Sequence, residues 1–182
     1  MVLKITGDDT EAEFAADLSP SLVRPICVRY VMAIRPDGMR DHRGSQIYLL
    51  WRQSADQVGK LHEALGDAAT DLLNAQHAAA QAAYRIVYEV YSAGKIGRFT
   101  KIERINLRHT IGTWLEACEE MARQTVVPEL RELGDGLVEV YAQQHIFFGD
   151  IHAGNLGLVP GDNGPHWVIT DPGHVAVVPL DD

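Results

Sequence analysis

Apolar positions along this chain recur at spacings that change from block to block, and each spacing predicts a different element. MVLKI reads as a short strand. DDTEAEFAADL (8–18) follows with Ala12, Phe14, Ala15 and Leu18 at helical intervals behind an acidic first turn, and Ser19-Pro20 ends it. LVRPICVRYVMAI (22–34) and QIYLLW (46–51) are β-branched and aromatic runs. Between them Asp37-Gly38 and Gly44 supply turn chemistry, so the pair predicts a hairpin.

From Ser54 to about Tyr91 the pattern turns helical, with Leu61, Leu65, Ala69, Leu72, Leu73, Ala80 and Tyr84 on one stripe. It predicts one long helix, or two joined near Gly66-Asp67, closed by Gly94 and Gly97. A polar stretch (98–109) leads to a helix over 110–124, and Pro128 opens another that runs to about 145. The remainder reads as short strands and turns: HIFFGD, NLGLVP, the turn GDNGP, HWVITD and HVAVVP.

This order, strand, short helix, hairpin, a mostly helical middle and then two short strands bracketing a turn, predicts an α+β chain, either one domain or two small lobes. The formal net charge of −9 argues against a nucleic-acid or anionic-membrane binder, because a phosphate surface would repel it. Cys27 and Cys118 stand alone, without metal-ligand spacing, as buried thiols of a reducing compartment would. The first twenty residues hold five acidic side chains and no apolar core of a signal peptide, and no run is long enough to span a membrane. The expected location is cytoplasmic.

The chemistry concentrates near the C-terminal end. FFGDIHAGNLGL (147–158) delivers Asp150 into a loop that bends at Gly154, and Asn155 begins a strand that turns back at 161–165. The returning WVIT brings Asp171, of TDPGH (170–174), beside Asn155. A hard divalent cation takes oxygen ligands of this kind together with substrate phosphates, so Asn155 and Asp171 are the candidate metal ligands. Asp150 is then placed to orient a hydroxyl nucleophile and accept its proton.

Asp150-x4-Asn155 followed by Asp171-Pro172-Gly173 resembles the catalytic and metal-binding loops of the protein-kinase-like superfamily. Gly149, Asp150, His152 and Asn155 match the H-G-D-x-H-x-x-N version found in aminoglycoside, choline and fructosamine-type small-molecule kinases. The resemblance implies a minimal protein-kinase-like fold with a reduced β-rich N-lobe (1–53) and a mostly helical C-lobe (54–182). It implies ATP and Mg²⁺ as cofactors, Asp150 as catalytic base, His152 as a loop residue near the phosphates or nucleophile, and Asn155 and Asp171 on the metal. VLKI resembles the strand that carries the nucleotide-binding lysine. That makes Lys4 a cofactor-binding candidate, with Glu11 or Glu13 as its ion-pair partner and Glu13 taken as the site residue. Leu50 and Trp51 fall where the strand enters the adenine-binding hinge.

The match departs in places. No Gly-rich loop precedes VLKI, Phe148 stands where the loop usually has His, Gly149 replaces an Arg, and nine residues follow Gly173. The first expectation is therefore a phosphotransferase acting on a hydroxyl acceptor, small molecule or protein, that the sequence does not name. The alternative is a catalytically inactive pseudokinase whose acidic surface binds a protein partner as regulator or inhibitor. GDIHAGN also resembles the opening motif of metallophosphoesterases, but that family needs further ligands well downstream and 27 residues follow Asn155. A Ser or Cys nucleophile finds no supporting motif.

Overall fold

The structure is a computed structural model that describes residues 1–7, 11–12, 15, 26–28, 30–57, 61–92, 99–124, 127–161 and 164–178, with the backbone alone at 51, 56–57, 61–65 and 91. It mixes helices with small antiparallel sheets. Strands β1 (Val2–Thr6), β2 (Tyr30–Ile34) and β3 (Tyr48–Arg52) form the first sheet in the order β1-β3-β2. β4 (Asp56–Gln57) then pairs with β6 (Leu156–Gly161), which pairs with β7 (Gly164–Ile169). β5 (Ile146–Phe148) pairs with β8 (Val175–Val177). Three helices lie between: α1 (Leu61–Ser92), α2 (Lys101–Ala122) and α3 (Pro128–Gln144).

In β1, Lys4 lies opposite Leu50 of β3. Leu50 is fully buried and Lys4 partly so, whereas Leu3, Ile5, Met32 and Ile34 are exposed. The first sheet therefore turns Lys4 toward the interior and leaves an apolar outer face. Glu11, Ala12 and Ala15 of the predicted first helix are helical and buried; the rest of that helix lies outside the described residues.

The expected strand over 22–34 divides. Among its described residues Tyr30–Ile34 joins β3, with an irregularity at Tyr30/Met32, while Cys27 makes a parallel bridge to Ile169; residues 22–25 and 29 lie outside the described residues. The Val28 amide donates to the Ile169 carbonyl (3.0 Å), and the Ile169 amide to the Ile26 carbonyl (2.7 Å). Ile26, Cys27 and Val28 are buried in succession, as a run enclosed on both faces requires, and such a run does not reveal its partner. Here the partner is the strand that leads to Asp171.

α1 breaks at Gly66, whose φ of 71° and ψ of 169° are not helical, which gives the two joined helices that the sequence allowed. Ala69, Leu73, Ala80, Ala83, Val87 and Val90 are the buried stripe. Gly94 and Gly97 lie outside the described residues. α2 begins nine residues before the expected 110, because Thr100 and Glu103 form a reciprocal capping box. Pro128 opens α3 as expected. α2 packs on both neighbours and comes close to α3 at Gly134, where a Cβ would meet Ala122 N at 2.6 Å and the Cys118 carbonyl oxygen at 2.7 Å. Trp114 of α2 meets Tyr141 of α3 and Phe147 of β5 edge-on. One core cluster includes Leu50 of the first sheet, Trp114 of the helices and Ile169 of the last hairpin. Among the described residues no helix is long and apolar enough to cross a membrane.

Candidate functional site

The C-terminal strands set the loop that carries Asp150. α3 stops at His145, whose left-handed backbone (φ 56°) turns the chain into β5. Phe148 pairs with Val175, and the Gly149 amide donates to the His174 carbonyl (2.9 Å), so Asp150 is the first residue released from this ladder. Glycine is required just before it. A Cβ on Gly149 would meet the His174 carbonyl oxygen at 2.9 Å and the Tyr84 side chain at 3.0 Å. Tyr84 also stacks on the His174 ring, with centroids 4.2 Å apart.

Asp150 is held from two sides. Asn155 Nδ2 donates to the Asp150 carbonyl (2.9 Å) and to Asp150 Oδ2 (3.3 Å). From α1, Gln81 Nε2 donates to the Gly149 carbonyl (2.8 Å) and to Asp150 Oδ1 (3.3 Å). Two imidazoles complete the surroundings: His77 Nδ1 and His152 Nε2 each lie 3.9 Å from Asp150 Oδ1. Their rings meet edge to face, with centroids 5.3 Å apart. His152 Nδ1 accepts from the Gly154 amide (3.0 Å) and so caps the short 3₁₀ turn Ala153–Asn155. Burial lowers the His77 pKa below its ordinary value, outweighing the neighbouring Asp150 carboxylate.

Asn155 and Asp171 are brought to the same end of the β6–β7 hairpin. The Thr170 amide donates to the Asn155 carbonyl (2.7 Å), which leaves Asp171 one residue beyond the pair. Arg52, at the end of β3, donates to the Thr170 carbonyl (2.7 Å) and ties the first sheet to this turn.

Lys4 joins the two ends of the chain. Its ammonium lies 2.9 Å from Glu11 Oε2, 3.0 Å from Glu11 Oε1 and 2.7 Å from Asp171 Oδ2. Tyr30 donates its hydroxyl to Glu11 Oε1 (2.7 Å). Burial, followed by the Glu11 charge, pushes the Tyr30 phenol well above its usual range. The Glu11 carboxylate is wholly buried, whereas Asp171 is 42% exposed.

Of the residues singled out from sequence, Lys4 meets Asp171, and Asp150 meets Asn155 and approaches His152. Glu11 is the ion-pair partner that the structure gives Lys4; Glu13 lies outside the described residues. Leu50 is a core side chain opposite Lys4, and the Trp51 side chain is not described. Gln81, His77 and Tyr30 were missed. The first two share a helix face with Tyr84 at i, i+4 and i+7, a spacing that sequence alone assigns to packing.

An ion at this hairpin end would find one carboxylate and one amide oxygen. Asn155 spends its Nδ2 on Asp150, which leaves Oδ1 as its ligand atom. No group of three or more His, Cys, Asp or Glu residues among those described is arranged to hold a metal. Mg²⁺ takes one or two such oxygens when waters and phosphate oxygens complete its shell, and here Asp171 Oδ2 faces the Lys4 ammonium at 2.7 Å. Compared with family models, curated proteins and solved structures, the chain matches none.

Proposed function

We propose that the chain is an ATP- and Mg²⁺-dependent phosphotransferase of minimal kinase-like fold, acting on a hydroxyl acceptor. The observation that supports it most is the Lys4 ammonium between buried Glu11 and exposed Asp171, at the hairpin end that also holds Asn155. On this reading Glu11 and Tyr30 hold Lys4 in place, and Lys4 exchanges Asp171 for a phosphate oxygen when nucleotide enters. Asn155 Oδ1 and Asp171 would hold Mg²⁺, which supplies charge neutralisation on the phosphates. Asp150, fixed by Asn155 and Gln81, orients the acceptor hydroxyl and accepts its proton. Leu50 packs opposite Lys4 in the first sheet.

The reading is tested with Asp150→Asn. This variant is expected to bind Mg-ATP as the wild type does and to lose phosphoryl transfer by at least about a hundredfold. Transfer at the wild-type rate would contradict it.

A non-catalytic regulator is the second reading. It is favoured by the Lys4–Asp171 contact, which occupies the carboxylate that an ion would use. Failure of the wild type to bind nucleotide would select it.

A further inference from the structure

We propose that His77 is a positioning residue for Asp150, receiving the proton that the carboxylate strips from the acceptor; this rests on the phosphotransferase reading above. The two imidazoles beside Asp150 are not equivalent. His152 Nδ1 accepts from the Gly154 amide, so in the neutral ring the proton sits on Nε2, the atom facing Asp150 Oδ1. Gln81 thus donates to that oxygen, and His152 turns an N–H toward it from 3.9 Å.

His77 Nδ1 faces the same oxygen, is buried, and has no hydrogen-bond partner among the described residues. Burial favours the neutral ring, and with its proton on Nε2 that ring has a lone pair on Nδ1 to offer. A lone pair and a carboxylate repel, and the 3.9 Å separation is too long for a hydrogen bond. A proton arriving on Asp150 changes that. The gap then needs to close by only about 1 Å for an O–H to N bond.

The step balances without a further reagent. The acceptor O–H bond breaks and its proton goes to Asp150 Oδ1. The freed oxygen pair forms a bond to the γ-phosphorus as the bond from that phosphorus to the bridging oxygen breaks, and the nucleoside diphosphate leaves with those electrons. The protonated carboxyl then passes its proton to His77 Nδ1, and the carboxylate is restored. Besides Asp150, the titratable groups that bear on His77 are His152 and His174.

Two measurements on the full chain decide it. Ring-labelled histidine NMR follows the His77 titration in wild type and Asp150→Asn and requires no turnover. The expected result is a further downward shift in the variant, where the carboxylate charge is gone; an unmoved titration overturns the pairing. Mg-ATP turnover with water as acceptor is then compared in wild type and His77→Ala. A kcat lower by about ten- to a hundredfold, an unchanged KM for ATP and recovery on adding free imidazole are expected. Turnover at full rate in His77→Ala, or a loss that imidazole does not restore, overturns the relay alone. Absence of turnover in the wild type overturns the phosphotransferase reading and the relay with it, whatever the titration gives.

Discussion

Lys4 Nζ lies 2.7 Å from Asp171 Oδ2, so the first strand and the turn after β7 meet through one ammonium. The two carboxylates on that ammonium sit in different surroundings. Glu11 is wholly buried and also receives the Tyr30 hydroxyl, whereas Asp171 is 42% exposed. The Glu11 side is enclosed, and the Asp171 side meets solvent.

Stability should record this asymmetry. Lys4→Met takes the Lys4 ammonium away from the wholly buried Glu11 carboxylate and is expected to cost on the order of 3 kcal/mol. Asp171→Ala removes a solvent-screened pair and should cost under about 1 kcal/mol. Urea unfolding of the two variants gives the comparison, and equal losses would contradict it.

Alkaline pH tests the Tyr30–Glu11 contact. The folded phenol keeps its proton at pH values where the unfolded one, near 10, has lost it. Its contribution is therefore complete below about pH 10 and lost as pH rises beyond that value. Burial raises the Cys27 thiol as well, which adds to the same slope from about pH 8.5. Unfolding free energies between pH 8 and 11 should fall less steeply in Tyr30→Phe than in wild type; identical slopes would refute the assignment.

His77 gives the opposite sign. Its folded pKa is lowered, so the unfolded ring takes a proton near about pH 6.5 that the folded ring refuses. Stability from this group is present above that value and lost as pH falls below it. In His77→Gln the loss between pH 7.5 and 5.5 should be smaller than in wild type, as read by denaturant midpoints.

Gly149→Ala drives a methyl against the His174 carbonyl and the Tyr84 ring, neither of which is the end of a flexible chain. A loss of about 1–3 kcal/mol is expected, and the shift falls on Asp150. Transfer activity should fall further than the fraction unfolded accounts for. Wild-type stability and rate together would show that the close approach is not required.

The approach of Asp150, Asn155 and Asp171 was legible because it is local. β6 and β7 pair in one register, with Leu156 opposite Ile169, and that register brings the Asp171 end to Asn155. The mixed α+β character and the strands at both ends were legible for the same reason. What lay beyond the sequence depends on long-range placement. His77 and Gln81 sit in an Ala- and Gln-rich stripe that reads as packing until α1 is laid against the loop. Ile26–Val28 look like one strand with Tyr30–Ile34, and only the fold sends them to Ile169. The choice of Glu11 rests on helix phase, which two acidic residues at i and i+2 leave open. The start of α2 was different: the Thr100–Glu103 capping box is written in the sequence, and the polar run over 98–109 concealed it.

The most direct test of the phosphotransferase reading is calorimetric titration of ATP with and without Mg²⁺ into wild type and Asp171→Ala. Mg²⁺-dependent binding in the wild type that is lost in the variant is the predicted result. Equal affinity in the two proteins, or no binding in the wild type, would contradict it.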